Sequence, residues 1–481
     1  MHGKPRKSNH VWSNPPLPPS PHPPYPLPLS HQASPISPHS PRANGSLHQV
    51  LGVAFGLAVL IGNTIATGIL RTPGEVASHL PSTGLFLGVW VLGGLYALLG
   101  AASLAEGGVI VRRSGGPYTI VQRALGRYPA FVVGWSDWIS TSASTTLGAI
   151  VFAEFAAPLL PPVPGGIKAI ACVLILAFGW LQWNGVKSGD IAQQLLSGVK
   201  ALAFAVLIVA ALVMSVPAVM APATPVGLPH GTGLIAAIVL ALQAVIFTYD
   251  GWTSPTYFGE ETVDVGHAMP RTMITGVLLV MAIYLFFNIA MLRVVGLGAM
   301  AGDPFVAGSA GAILFGPKGE LVIRIIVLIA LLSGINSNVL IAARIPLAMS
   351  RDALLPARFN TVNAGGTPVV SHALSVGAVL LLIITGTFNT VLALAAFYFV
   401  ANYAMSFIAI FVLRRKEPDT PRPYRAWGYP YSTGLVLVGS VAFLVGAVLS
   451  DRANSLRALV LLALSYPLYW MMLRGRATND A

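Results

Sequence analysis

About 12 apolar runs follow one another from Val50 onward, each near the roughly 20 residues that carry a helix across about 30 Å of hydrocarbon. They lie approximately at 49–79, 84–111, 126–156, 167–184, 190–216, 233–258, 271–295, 320–350, 368–386, 389–413, 432–450 and 456–473. Two of them break at matching places. The first is interrupted at Ile61-Gly62-Asn63-Thr64-Ile65-Ala66-Thr67-Gly68, and the sixth at Phe247-Thr248-Tyr249-Asp250-Gly251-Trp252. Interrupted membrane helices in corresponding positions of two chain halves point to a transporter's binding site. Spans 1 to 5 and 6 to 10 read as two five-helix units. An odd number of spans makes the second unit enter from the opposite side, which is an inverted repeat. The predicted architecture is an all-α membrane protein of 12 spans, in units 47–231, 232–416 and 417–481, the last holding spans 11 and 12.

The polar connections set the orientation. Arg112, Arg113, Arg123 and Arg127 follow span 2, Lys187 follows span 4, and Arg271 follows span 6. Arg351 and Arg358 follow span 8, while Arg414, Arg415, Lys416, Arg422 and Arg425 follow span 10. The odd-numbered connections are poor in Lys and Arg, so the even-numbered loops and both termini are expected on the cytoplasmic side.

Composition agrees with the pattern. Apolar residues make up 55% of the 481-residue chain and charged residues only 9%, with a mean hydropathy of +0.74. The net charge of +12 is spread over short segments between apolar runs, not gathered in one patch, which argues against nucleic acid. Cys172 is the single cysteine, so no intrachain disulfide and no cysteine-rich metal site is expected, and it reads as a small buried residue. Residues 1–46 differ from the rest: rich in Pro, Ser and His, with Lys4, Arg6, Lys7 and Arg42 and no acidic residue. Such a segment cannot bury enough apolar surface to fold, so it reads as a disordered cytoplasmic tail. Pro15-Pro16-Leu17-Pro18-Pro19 fits a proline-groove ligand, and the plainer reading is an unselected extension or a misassigned start. Asn44-Gly45-Ser46 fits a glycosylation sequon that a cytoplasmic tail would not present to the machinery.

The chain resembles the amino acid-polyamine-organocation superfamily of permeases, and within it the bacterial relatives of the L-type amino acid transporters. The resemblance is carried by Ile65 to Glu75; by Leu104-Ala105-Glu106-Gly107 leading to Arg113-Ser114-Gly115-Gly116-Pro117-Tyr118; and by Asn184-Gly185-Val186-Lys187 with Lys200. Tyr249-Asp250-Gly251-Trp252 leading to Glu260-Glu261, Ala343 to Asp352, and Pro421-Arg422-Pro423-Tyr424-Arg425 complete it. Each stretch alone is weak; their order and spacing make the set specific. The resemblance implies a leucine-transporter-like fold in a cell membrane, that of a bacterial inner membrane. It also implies alternating access of a helix 1 and 6 bundle against a scaffold of helices 3, 4, 8 and 9.

The breaks themselves suggest a ligand. Where a helix unwinds, one half ends in bare carbonyls that favour an ammonium group, and the other begins with bare amides that favour a carboxylate. Two breaks side by side match a zwitterion, so Thr64, Ile65, Ala66, Thr67, Gly68, Phe247, Tyr249, Asp250, Gly251 and Trp252 are the candidate amino acid-binding residues. Gly62 and Gly68 let the backbone open, and Thr64 and Thr67 either satisfy freed backbone groups or touch the ligand; the same residue types also serve simple helix packing. The family usually carries Gly-Ser-Gly here, against Ala66-Thr67-Gly68 in this chain. The extra methyl groups bear on which amino acid fits.

Asp250 reads either as a contact to the ligand amine and the unwound segment or as a cap for the inner half of helix 6. Phe247 and Trp252 flank the break; the resemblance makes Phe247 a gate closing from outside, and aromatic packing is the alternative for both. Lys200 lies deep in span 5. In similar permeases the lysine there reaches broken helix 1 in place of a sodium ion; a snorkelling lysine is the alternative, and a depressed proton affinity would also make it a coupling group. Arg71 and Glu75 are spaced to pair on one helix face, or Arg71 meets an acidic substrate. Glu106 is expected beside Arg112 and Arg113, and Glu260 and Glu261 near Arg271, as ion pairs at the inner edge.

The sequence holds no His-Glu-x-x-His, Gly-x-Ser-x-Gly or phosphate-loop pattern, which argues against an enzyme and against nucleotide-driven transport. The expected function is secondary active transport of neutral amino acids by exchange or proton-coupled uptake, with no cofactor. Cationic amino acids or polyamines are the alternative cargo, and a permease-fold receptor is the alternative class. The partners expected are the amino acid, membrane lipid and protons. Eukaryotic light chains of this type join a heavy chain through a cysteine after span 3, and residues 157–166 contain none.

Overall fold

The computed structural model describes residues 52–65, 67–183, 189–214, 227, 229–260 and 262–477. Residues 1–46, Ala66, Asn184 to Lys187 and Glu261 lie outside them, so the expectations placed on those positions do too. Among the described residues the protein is helical, with a single isolated β-bridge between Val362 and Pro368.

The first apolar run forms two helices, α1 (Val53–Thr64) and α2 (Thr67–His79). Next come α3 (Thr83–Val111), α4 (Pro117–Leu125), α5 (Arg127–Ala156), α6 (Gly166–Trp183) and α7 (Gly189–Val213). The sixth run forms α8 (Thr232–Tyr249) and then a 3-10 turn, Ser254–Phe258. After it come α9 (Val265–Val294), α10 (Leu297–Met300), α11 (Val306–Phe315), α12 (Pro317–Arg351), α13 (Val369–Thr385), α14 (Phe388–Lys416) and α15 (Tyr431–Ser450). The chain closes with α16 (Arg452–Ala463) and α17 (Ser465–Ala477). Nine helices among the described residues are long and apolar enough to cross a membrane, and three shorter apolar ones accompany them.

Three features depart from the pattern read in the sequence. The connection before α12 is itself helical, as α10 and α11; α4 stands between the second and third spans; and the last run splits at Leu464 into α16 and α17. Cys172 is half-buried, not buried. Helix ends follow their local chemistry. Gly116, at a φ of +79°, turns the chain into α4 with Pro117 at the first helical position, and Arg414, Arg415 and Lys416 complement the carbonyl end of α14.

Helix α5 lies at the centre of one layer, packed against α12, α13, α14 and α6, while α1 packs on α7, α9 and α12, and α2 on α8. Trp90, Tyr118, Phe131, Phe155, Tyr284, Phe287 and Tyr398 are fully buried between these helices. In lipid such contacts hold through close packing and interhelical hydrogen bonds, because lipid tails are as apolar as the side chains.

Candidate functional site

At the first break α1 stops at Thr64, and Ile65 leaves the helical region at φ −77° and ψ +76° while its amide still reaches Ile61 O at 2.9 Å. The freed carbonyls find fixed partners. Lys200 Nζ donates to Gly62 O at 2.8 Å, and Lys200 is only 1% exposed, so it is not a snorkelling side chain. Tyr284 Oη lies 2.6 Å from Thr64 O and 2.9 Å from Thr248 O, so one phenol serves a carbonyl at each break.

At the second break Asp250 turns extended (φ −57°, ψ +151°) and Gly251 takes φ +114°, a conformation that side chains disfavour. A Cβ on Gly251 would also sit 2.6 Å from Thr64 Oγ1. The chain then re-forms hydrogen bonds through Ser254 N to Gly251 O at 3.0 Å. The two interrupted helices are pinned together at several points: Asn63 Nδ2 donates to Ser254 Oγ at 2.9 Å, and the hydroxyls of Thr72 and Thr248 meet at 2.7 Å. A Cβ on Gly68 would fall 2.5 Å from Thr248 Cα, so glycine is what lets α2 approach α8 backbone to backbone.

A cavity of about 20 Å³ lies at this junction, and Thr64, Thr67, Gly68, Phe247 and Asp250 line it together with Asn63. Ser144 of α5 and Asn338 of α12 complete its wall. Of the residues singled out in the sequence, Ile65 is buried in the apolar core, and Tyr249 turns its hydroxyl to Trp90 O at 3.1 Å. Trp252 packs its ring 4.7 Å from that of Tyr403. Gly251 borders a second cavity, also of about 20 Å³, which shares Asn63, Ser144, Asp250 and Asn338 with the first. Tyr403 Oη donates to the Asp250 carboxylate, a partner the sequence did not suggest. Asp137 of α5 is another such residue: 4% exposed, it accepts Tyr257 Oη at 2.7 and 2.9 Å. Its signal, an acidic residue within an apolar run, was open to reading; Tyr284 and Tyr403 gave none.

The edges of the molecule differ from expectation. Glu106 does not pair with Arg112 or Arg113. It receives Arg414 through both oxygens at 2.8 and 2.6 Å, with Arg422 Nε at 3.3 Å and the Ala426 amide at 2.7 Å. Sequence distance hid these partners. Arg113 pairs with Asp352 on the far end of α12, and Glu260 bonds with Ser114, accepting its amide and donating its own to the hydroxyl, both at 3.2 Å, and neither bond involves Arg271. At the other edge Arg71 Nη1 lies 4.0 Å from Glu75, as spaced in the sequence. Its Nε is 3.4 Å from Glu154 of α5, and its guanidinium stacks over Phe388 of α14 at 4.7 Å. Among the described residues no cluster of side chains suited to a metal ion occurs.

Two interrupted helices that meet at a small polar cavity inside a bundle of apolar helices are the build of a multi-pass membrane transporter. Residues 46–472 match the amino acid permease family, and the chain belongs to that family. The family is one of amino acid transporters, and the chain is an amino acid transporter. It is 26% identical over 443 residues to the serine/threonine exchanger SteT of Bacillus subtilis, covering 90% of this chain and 99% of that one. It is 27% identical over 415 residues to the large neutral amino acids transporter small subunit 2 of Mus musculus, covering 82% and 77%. With the Asc-type amino acid transporter 1 of the same animal it shares 26% over 394 residues, 79% and 73% of the two chains.

Proposed function

We propose that the protein moves neutral amino acids across a cell membrane by alternating access, through exchange or proton-coupled uptake. The observation that carries this reading is the meeting of the two breaks at one cavity, with Thr64, Thr67, Gly68, Phe247 and Asp250 on its wall. The amide end of α2, beginning at Thr67 and Gly68, suits the carboxylate; the carbonyl ends of α1 and α8 suit the ammonium group. Thr64, Ile65, Ala66, Thr67, Gly68, Phe247, Tyr249, Asp250, Gly251 and Trp252 form the binding region in this reading. Within it Thr64, Thr67, Gly68, Phe247 and Asp250 face the ligand and the others shape the backbone behind them. Phe247 and Trp252 act as the aromatic gates. Neutral cargo is favoured by the names of the relatives and by Tyr403, which already occupies Asp250 as a hydrogen-bond donor.

Lys200 holds the carbonyl end of α1 where a sodium ion would otherwise be needed, so the driving gradient is not sodium. Twelve spans, an inverted five-plus-five repeat, and cytoplasmic termini complete the proposal. Supporting them are the breaks in spans 1 and 6, the packing of α5 on α12 and α13, and the basic even-numbered loops. The protein works without a disulfide-linked heavy chain, since residues 157–166 offer no thiol.

The test is counterflow in proteoliposomes against a panel of amino acids. Neutral amino acids should exchange, and cationic ones should not. Saturable binding with no accumulation would instead identify a receptor.

A further inference from the structure

The second cavity is more acidic than amino acid binding requires. It lies between α5, the broken sixth span and α14, and its wall includes two carboxylates, Asp137 and Asp250, each held by a tyrosine, Tyr257 and Tyr403. Among the described residues that line it there is no lysine, arginine or histidine. Cations on adjoining elements are engaged elsewhere. Lys200 is bound to Gly62 O on α1, and Arg344 of α12 stacks over the Phe258 ring at 4.7 Å. From α4, Tyr118 donates to Asp352. Two buried carboxylates with no counter-charge are costly, and a shared proton removes most of that cost.

A second observation points into the same space. Asn402 of α14 is 3% exposed and lines the cavity, yet its Nδ2 has no hydrogen-bond partner; its Oδ1 lies 2.5 Å from Ser136 Oγ. Asn63 Oδ1, on the same wall, is also buried and unpartnered. One orphan amide donor and one orphan acceptor on residues that share a cavity wall with two carboxylates are the contacts a water molecule satisfies, and about 20 Å³ is room for one.

We infer that this cavity is a proton site, in which Asp137 and Asp250 share one exchangeable proton through a water held by Asn402 and Asn63, and that proton moves with the amino acid. The inference rests on the transport reading above. Its geometry supplies the coupling. Asp137 belongs to α5, and Asp250 to the break that carries the amino acid cavity, so relative movement of the two elements opens and closes the shared site. The proton arrives from external water, resides as a carboxyl O–H on one of the pair, and leaves to internal water when the pair separates. No other bond changes, and each zwitterion crosses with one net positive charge.

The experiment uses the full chain in proteoliposomes with a pH-sensitive dye inside and labelled L-serine or L-leucine outside. An imposed inward gradient of one pH unit should drive about tenfold accumulation for one proton per amino acid, and amino acid added without a gradient should acidify the lumen. An equal sodium gradient at uniform pH should drive none. Asp137→Asn should keep counterflow exchange but lose both proton effects, and Asp137→Glu should restore them. Wild-type counterflow without lumen acidification overturns the proton site while leaving the transport reading intact. Accumulation driven by sodium overturns it as well, assigning the cavity to that ion. Absence of counterflow in the wild type removes the transport reading and this inference with it. If Asp137→Asn fails to fold, the wild-type dye and gradient measurements decide alone.

Discussion

Lys200 and Gly62 are 138 residues apart in the chain, and the ammonium group of one lies 2.8 Å from the carbonyl of the other. The contact fixes the last turn of α1 at the level of the break, with no exposed route for the lysine to reach water. A charged hydrogen bond of this kind is worth about 1.5–3 kcal/mol. Lys200→Ala or Lys200→Met should therefore lower uptake by about ten- to a hundredfold. The protein should still reach the membrane and elute as a monodisperse peak. Normal uptake by either variant would remove the role given to this residue.

Gly68 tests the approach of the two interrupted helices. A methyl group there would meet the backbone of Thr248, which cannot rotate away, and would force α2 off α8 and stretch the hydroxyl contact between Thr72 and Thr248. Overpacking of this kind costs about 1–3 kcal/mol. Gly68→Ala should lower the melting temperature by several degrees and abolish exchange. Gly88→Ala, where a Cβ meets nothing within 4 Å, should be silent. Equal behaviour of the two variants in a thermal-shift and counterflow comparison would refute the argument.

The breaks were legible because glycine, threonine, asparagine and aspartate interrupt otherwise apolar runs, and helices are punctuated by the residues at hand. Thr64, Thr67, Gly68, Phe247 and Asp250 could be collected from two local stretches of sequence. What closes the site could not. Tyr284 serves Thr64 and Thr248 from a third helix, Tyr403 reaches Asp250 across 153 residues, and Asn338 and Ser144 come from elsewhere again. A tyrosine or serine in an apolar run looks the same whether it faces lipid or a cavity, and only the packing of α5, α12 and α14 decides. The same limit explains Glu106. Its nearest cations in sequence, Arg112 and Arg113, lie past the end of α3, and the partners it takes are more than 300 residues away.

Acid should weaken one contact in a defined direction. Arg123 donates to both oxygens of Glu417, at 3.1 and 2.8 Å, beyond the end of α14, and this holds the carboxyl below its ordinary value of 4.5. A group whose proton affinity is depressed by folding stabilises the native state above its ordinary value. That stabilisation is lost as the pH falls through the depressed value. The pair is solvent-accessible, so its worth is about 1 kcal/mol or less. Glu417→Gln should melt slightly below the wild type at pH 7, and the difference should close below pH ~4. A gap that persists or widens in acid would show that Arg123 is not what stabilises Glu417.

The largest single loss of stability is expected at Glu106, which is wholly buried and holds the chain after α14 against the C-terminal end of α3. Its two oxygens take Arg414, Arg422 and the Ala426 amide, so one carboxylate is the shared anion of two guanidinium groups and orders the segment 418–430. Glu106→Gln keeps the shape but leaves both guanidinium groups without an anion, and breaking a buried pair costs about 3–5 kcal/mol. The variant should melt well below the wild type, by much more than Glu417→Gln, and segment 418–430 should become accessible to protease. Because the site is buried, added salt should not reproduce the effect in the wild type. The charge argument makes a sharper demand of the double variant Glu106→Gln, Arg422→Leu: removing one of the stranded cations should recover part of the loss, since no buried charge then remains at position 422 without an anion. A double variant that is less stable than Glu106→Gln alone would mean that Arg422 contributes through its own carbonyl contacts at Glu417 and Thr420, and that Glu106 acts on the loop through Arg414 and Ala426.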